Sequence, residues 1–193
     1  MQNQIREAKR VLRDQVQAAV KRIPPGERVD ASARARALLE AQVLWQTAQS
    51  VLFFAPLPEE LDVWPLLAKA LATGKRVALP RFVAATRSYE ACWILTQKEV
   101  QVGHFGIREP RIHCARVASG ELDLILVPGV AFDLCGRRLG RGKGYYDQLL
   151  GVMRGTTCGV TFEEQIVAEV PVGPHDVRLD YILTPTRWVE VKA

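Results

Sequence analysis

The chain has 193 residues, 48% hydrophobic and 24% charged, with a formal net charge of +5. That length suits one well-buried core and is short for two, and the composition excludes a disordered or fibrous chain, so a single domain over residues 1–193 is expected. The positive balance favours an anionic ligand: a nucleotide, a polyglutamylated small molecule or a nucleic acid.

Ile5, Ala8, Leu12, Val16 and Ala19 recur at helical spacing among charged positions, which predicts an amphipathic helix over residues 4–20. Lys9 and Arg13, four apart, share one face of it. Pro24, Pro25 and Gly26 break that helix, and a second is expected through Ala33 to Trp45. Ser50 to Leu57 is a strand-type apolar run closed by prolines, with Glu59, Glu60 and Asp62 at its end. Acids beyond a strand's carboxyl end are placed to touch a ligand. Asp62 suits capping of the helix from Trp64 to Thr73, which Gly74 closes. Arg76 to Phe82 is a second strand. Residues 84–118 are less regular, with one strand expected from Ala91 to Thr96. There Phe105 is either a stacking surface for a flat ring or part of the core. Thr156 to Phe162 and Leu179 to Thr184 are the last expected strands. Asp180 opens the final one, and an acid in an apolar run needs a partner, either a metal or a cation such as Arg178 or Arg187. Strands alternating with helices predict an α/β three-layer sandwich with a largely parallel sheet.

The stretch from Leu122 to Leu150 carries the most chemistry. Leu122, Leu124, Ile125, Leu126 and Val127 read as a strand covered on both faces. After it Arg137, Arg138, Arg141 and Lys143 alternate with Gly136, Gly140, Gly142 and Gly144. Glycines let backbone N–H groups approach a ligand, and cations beside them favour an anion. A helix follows from Tyr145, so its N-terminus adds to that preference. Asp147 supplies a hard carboxylate suited to magnesium beside a polyphosphate. A nucleotide triphosphate site and a solvated basic turn both fit these residues. The spacing is neither a Walker A loop, since five residues separate Gly136 from Gly142, nor a Rossmann fingerprint, since the glycines run G-x-G-x-G.

Other chemistries are disfavoured. No G-x-S-x-G elbow and no H-E-x-x-H appear. Cys92, Cys114, Cys135 and Cys158 form no C-x-x-C pair, so they are expected as reduced thiols in the cytoplasm. His104, His113 and His175 are isolated and expected to be structural or exposed. The N-terminus lacks a signal-peptide core and no stretch reaches membrane-span length, so no membrane partner is expected. A compact basic loop without an aromatic RNP-like strand argues against nucleic acid. A metal acid and a phosphate loop with no nucleophile suit phosphoryl transfer.

The run P-G-V-A-F-D and then G-x-R-L-G-R-G-K-G-Y-Y-D, from Pro128 to Asp147, resembles the signature of the 5-formyltetrahydrofolate cyclo-ligase family. Lys9 and Arg13, Glu60, Leu79-Pro80-Arg81, Gly106 to Pro110, Gln165 and the H-D-x-x-L-D run from His175 to Asp180 fit it in order. The resemblance implies a fold like that of sugar-phosphate isomerases and CoA transferases. It implies ATP and Mg2+ as cofactors and 5-formyltetrahydrofolate, with or without a polyglutamate tail, as the small-molecule partner of a monomer. Lys9, Arg13, Arg138, Leu139, Gly140, Arg141, Gly142, Lys143, Gly144, Tyr145 and Tyr146 would then bind ATP. Ala55, Glu60, Phe105, Arg141 and Tyr145 would bind the folate, Asp147 and Asp180 the metal, and Arg141, Lys143 and Tyr145 would be catalytic. Two departures mark the substrate side. The family's methionine-containing segment has no match near Arg87 to Ala91, where Tyr89 is its candidate substitute, and Val63 stands where the family usually has threonine. A relative acting on another small substrate with the same ATP and magnesium is the alternative.

Overall fold

The computed structural model describes residues 2–173 and 176–192. Helix α1 (Gln2–Lys21) buries Val16 and Val20 and packs Leu12 against the core, as its helical spacing requires. Pro25 opens α2 (Pro25–Glu40) at a position where its missing N–H costs nothing, so the Pro-Pro-Gly run starts this helix early. The single helix expected through Trp45 is in fact two. Gln42 is extended (φ −80°, ψ 140°), and the short α3 (Val43–Thr47) turns Trp45 inward, edge-on to Phe53 at 6.1 Å. Burial of that indole prevails over helix continuity.

Strand β1 (Ser50–Leu52) is shorter than its apolar run. Phe53 still donates to the Ala78 carbonyl, but Pro56 and Pro58 have no N–H to offer and the chain leaves the sheet. Val63 is the N-cap of α4 (Trp64–Ala72) and has no side-chain cap, but Asp62 just before it accepts the N–H of Trp64 at 2.9 Å, so it supports the helix start from one position before the N-cap and not as the cap expected. Strands β2 (Arg76–Val83) and β3 (Ser88–Ile94) form an antiparallel pair. A small hairpin, β4 (Val100–Val102) with β5 (Arg108–Pro110), occupies the segment expected to be irregular. After β6 (Leu124–Val127) come a second small hairpin, β7 (Ala131–Phe132) with β8 (Arg138–Leu139), and then α5 (Tyr145–Val152). Strands β9 (Thr156–Val160), β10 (Tyr181–Leu183) and β11 (Trp188–Glu190) complete the chain. β11 lies beyond the strand expected to be last, held antiparallel by Trp188 stacked on Tyr181 at 4.8 Å.

The main sheet runs β11-β10-β9-β6-β1-β2-β3. Its five central strands are parallel and both edges antiparallel. Alternation sorts the side chains into two layers of core. Val51, Val77, Leu79, Leu124 and Leu126 pack with α1, α2 and α4, whereas Leu52, Ala78, Ile125 and Val127 pack with Leu149 and Leu150 of α5. The result is the expected three-layer α/β sandwich. From β1 the chain runs outward to β2 and β3, then returns to lay β6 on the other side of β1. The loops after β1 and β6 therefore diverge, and open α/β sheets bind ligands at such a switch point.

Candidate active site

The loop after β6 is built around one buried carboxylate. Asp133, 1% exposed, accepts N–H groups from Cys135 and Arg137 through Oδ1 and from Val170 through Oδ2. It ties the β7–β8 turn to the segment after β9, so the P-G-V-A-F-D and G-x-R-L-G runs are the two arms of one hairpin. Gln165 fixes the start of this loop: its buried Nε2 donates to the carbonyls of Gly129 and Val130. Beyond β8, Gly142 (φ +97°) and Gly144 (φ +70°) take left-handed conformations that few side chains tolerate. Gly144 is also the N-cap of α5, which has no side-chain cap, so the first N–H groups of α5 face the loop unsatisfied by side chains.

Between this loop and the one after β1 lies a cavity of roughly 370 Å3. Ala55, Glu60, Phe105, Arg141 and Tyr145, the residues expected to bind substrate, all line it, as do Tyr89 and Glu109. Phe105 and Tyr145 face each other at 6.4 Å, 25° from parallel. A flat ring inserted between them needs about 7 Å, twice a ~3.5 Å contact. Phe105 is 58% exposed and held at φ +62°, so it belongs to the cavity wall and not to the core. Phe82, Tyr89 and His104 support this pair through ring contacts of 4.1–5.9 Å. Tyr89 thus stands in the aromatic wall, edge-on to Tyr145.

Glu60 is the one acid of the loop after β1 in this cavity. Its Oε2 accepts the Leu57 N–H at 3.0 Å and its Oε1 faces Arg141 at 3.2 Å. Burial pushes its carboxyl above the usual range, against the opposing pull of Leu57 and Arg141. Burial likewise raises the Tyr89 and Tyr146 phenols.

The cations divide into two sets. Arg141 and Lys143 are exposed at the cavity mouth, whereas Arg138, 4% exposed, is spent on Pro128 carbonyl (3.2 Å) and Asp147 (2.6 Å). Arg13 docks α1 onto the same loop and Lys9 docks it onto the segment before β10. Arg13 donates to the Gly140 carbonyl at 2.8 Å, and Lys9 pairs with Asp176 at 2.5 Å. Desolvation pulls the Arg13 guanidinium below its ordinary value.

Leu139 is 1% exposed and packs in the core, so only its backbone is placed to meet a ligand. One expected position is corrected. Asp180 sits at the amino end of β10, where Oδ2 accepts the N–H and hydroxyl of Thr157 at 2.8 and 2.7 Å. The site lies at the opposite, carboxyl end of the parallel strands, so Asp180 does not join Asp147. Arg178 and Arg187 bond elsewhere, to Cys135, Lys192 and Glu163. The acid of that run brought to the cation cluster is Asp176. His175 lies outside the described residues.

A larger groove of roughly 940 Å3 shares Ala55, Leu57, Glu60 and Ile107 with the cavity. Lys21, Arg28, Arg36 and Arg108 line it against Asp62 and Glu60, and none of the four cations pairs with a carboxylate among the described residues.

The sequence profile of the 5-formyltetrahydrofolate cyclo-ligase family matches residues 5–185. The chain belongs to the 5-formyltetrahydrofolate cyclo-ligase family. Among cyclo-ligases of this family, that of Mus musculus is 27% identical over 93% of this chain and 94% of its own. The Mycolicibacterium smegmatis enzyme is 35% identical over 74% and 77%. The solved structure of Aquifex aeolicus 5,10-methenyltetrahydrofolate synthetase superposes with a TM-score of 0.87 at 31% identity, covering 96% of this chain and 93% of that one. A synthetase from Mycoplasma pneumoniae shares the fold at a TM-score of 0.71 and 20% identity. The cyclo-ligase signature of the sequence is thus the hairpin, loop and α5 start that wall the cavity.

Proposed function

We propose that this chain cyclises 5-formyltetrahydrofolate to 5,10-methenyltetrahydrofolate, with ATP converted to ADP and phosphate, in the cavity at the switch point. The observation that carries this reading is an aromatic slot abutting a glycine and cation loop. One wall suits a pterin and the other a triphosphate, and Arg141 and Tyr145 belong to both.

The pterin lies between Phe105 and Tyr145, with Glu60 accepting hydrogen bonds from its N–H groups and Ala55 at its edge. Arg138, Gly140, Arg141, Gly142, Lys143, Gly144, Tyr145 and Tyr146 surround ATP, and Lys9 and Arg13 reach its phosphates from α1. The formyl oxygen attacks the γ-phosphorus and the bond to the ADP oxygen breaks. N10 then attacks the activated formyl carbon and loses its proton, and the C–O bond breaks to release phosphate. Arg141 and Lys143 stabilise the charge that develops on the transferring group. Closing the slot around the reactants keeps water from the activated intermediate.

Carboxylate oxygens suit Mg2+. Asp147 has only Oδ1 engaged among the described residues, by Arg138, so Asp147 would hold the ion. Asp176, whose contacts to Lys9 and Gly173 both use Oδ2, is the second candidate. When bound, magnesium offsets charge on the triphosphate.

The basic groove continuing from the cavity supports a polyglutamate tail: the folate's own glutamate must leave an apolar slot, and Arg36 and Arg108 lie along its exit. The reading takes the chain as a single catalytic domain acting as a monomer. Four free cysteines, three of them buried, support a reducing, cytoplasmic setting.

Oxygen tracing tests the mechanism. With 18O in the formyl group, the label should appear in the released phosphate. Label retained outside the phosphate would contradict phosphorylation of that oxygen.

A further inference from the structure

Away from the cavity, Glu99, His113 and Cys114 bring a carboxylate oxygen, a ring nitrogen and a sulfur within 4.8 Å of one another. Nε2 of His113 is 3.8 Å from Oε1 of Glu99. The backbone holds them in place. Arg111 donates its N–H to the Glu99 carbonyl and Cys114 donates to the Arg111 carbonyl. Buried Arg81 donates to the carbonyls of both Arg111 and Cys114. Glu99 is oriented from behind: its Oε2 accepts the Leu95 N–H at 2.6 Å, which leaves Oε1 for another partner. Hydrogen bonds of this kind fix ligands in metal sites. The Cys114 thiol has only a long 3.9 Å contact, to the Glu99 carbonyl.

We propose that Glu99, His113 and Cys114 form a site for a zinc-like divalent cation, with a fourth position open to solvent beside His113. Thiolate, imidazole and carboxylate together select zinc over magnesium or calcium. Bonds of about 2.0–2.3 Å in a tetrahedral site separate the ligand atoms by roughly 3.3–3.8 Å. The His113–Glu99 pair, at 3.8 Å, stands a few tenths of an ångström beyond the roughly 3.3–3.5 Å of such an N,O pair. His113, whose side chain is 61% exposed, has room to rotate and close the rest. The cation replaces the thiol proton, which leaves to solvent as the S–metal bond forms.

The position gives the site a consequence. Glu99 immediately precedes β4 and His113-Cys114 follow β5, so a cation there staples the base of the hairpin whose far end carries Phe105 and Ile107 into the cavity.

Co2+ titration of the full chain, stripped of metal by a chelator, tests this. We expect one equivalent to give a near-ultraviolet thiolate charge-transfer band that Zn2+ displaces. The band should persist in Cys135→Ser, vanish in Cys114→Ser, and form at least tenfold more weakly in His113→Ala and Glu99→Gln. His113 is on the surface, so its variant decides the matter even if Cys114→Ser folds poorly. Absence of the band, its survival in Cys114→Ser, or unchanged binding in His113→Ala would overturn the proposal.

Discussion

At the residue scale, three side chains divide the work of the cavity. Lys143 is exposed and makes no ion pair among the described residues, which leaves its charge available for the proposed phosphate role. Lys143→Ala should lower kcat by about 10²–10³-fold, the size of one lost charge-stabilising group, with an unchanged melting temperature; an active variant would contradict the role. Glu60 holds its proton more firmly folded than unfolded, because burial raises its carboxyl above 4.5. That stabilises the ligand-free protein fully below 4.5 and less as pH climbs through the raised value. In the proposed reading the pterin is held by the carboxylate form, so KM for the folate should fall over the same climb. Glu60→Gln should raise KM by about tenfold or more and abolish both pH trends. KM equal to that of the parent would remove Glu60 from the pterin. Phe105→Ala removes half of the aromatic slot and should weaken folate binding about tenfold, measured by titration without ATP. Lys143 was legible in a spaced motif, Glu60 only through the family resemblance, and Phe105 was open between stacking surface and core. The acid beside Lys9 was not legible, because H-D-x-x-L-D offers two aspartates and only the fold shows that Asp176 lies in the loop before β10, beside Lys9, whereas Asp180 stands at the amino end of β10.

At the scale of elements, helices and long strands followed from periodicity, and the short pieces did not. β4, β5, β7 and β8 have two or three residues each, too few for alternation to register. The break between α2 and α3 has no proline or glycine, and its cause, the inward turn of Trp45, is tertiary. The β7–β8 hairpin is held by Asp133, a role no local pattern announces. Removing that carboxylate leaves the buried Val170 N–H and the part-buried N–H groups of Cys135 and Arg137 without their acceptor. Asp133→Ala should cost about 3 kcal/mol, a fall in melting temperature of roughly 6–12 °C, together with loss of ATP binding as the loop slackens. Calorimetry showing no change would mean the turn holds without it.

At the scale of the whole molecule, α1 brings cations from the start of the chain onto a loop more than a hundred residues later, and the switch point sets that loop against the one after β1. The fold class was legible in the alternation of strands and helices, but the meeting of Arg13 with Gly140 was not. The basic groove is likewise a product of α2, α4 and β5 together. Arg36→Ala with Arg108→Ala should remove the preference for a triglutamate over a monoglutamate substrate while kcat on the monoglutamate stays within about twofold, since exposed charges act mainly on binding. An equal preference in parent and variant would remove the tail from this groove. The product of ATP-dependent ring closure has a chromophore that the substrate lacks. Mixing the purified protein with 5-formyltetrahydrofolate and following methenyl absorbance should give a rise with magnesium ATP and a flat trace without it. A flat trace in both, or a rise without ATP, would contradict the claim.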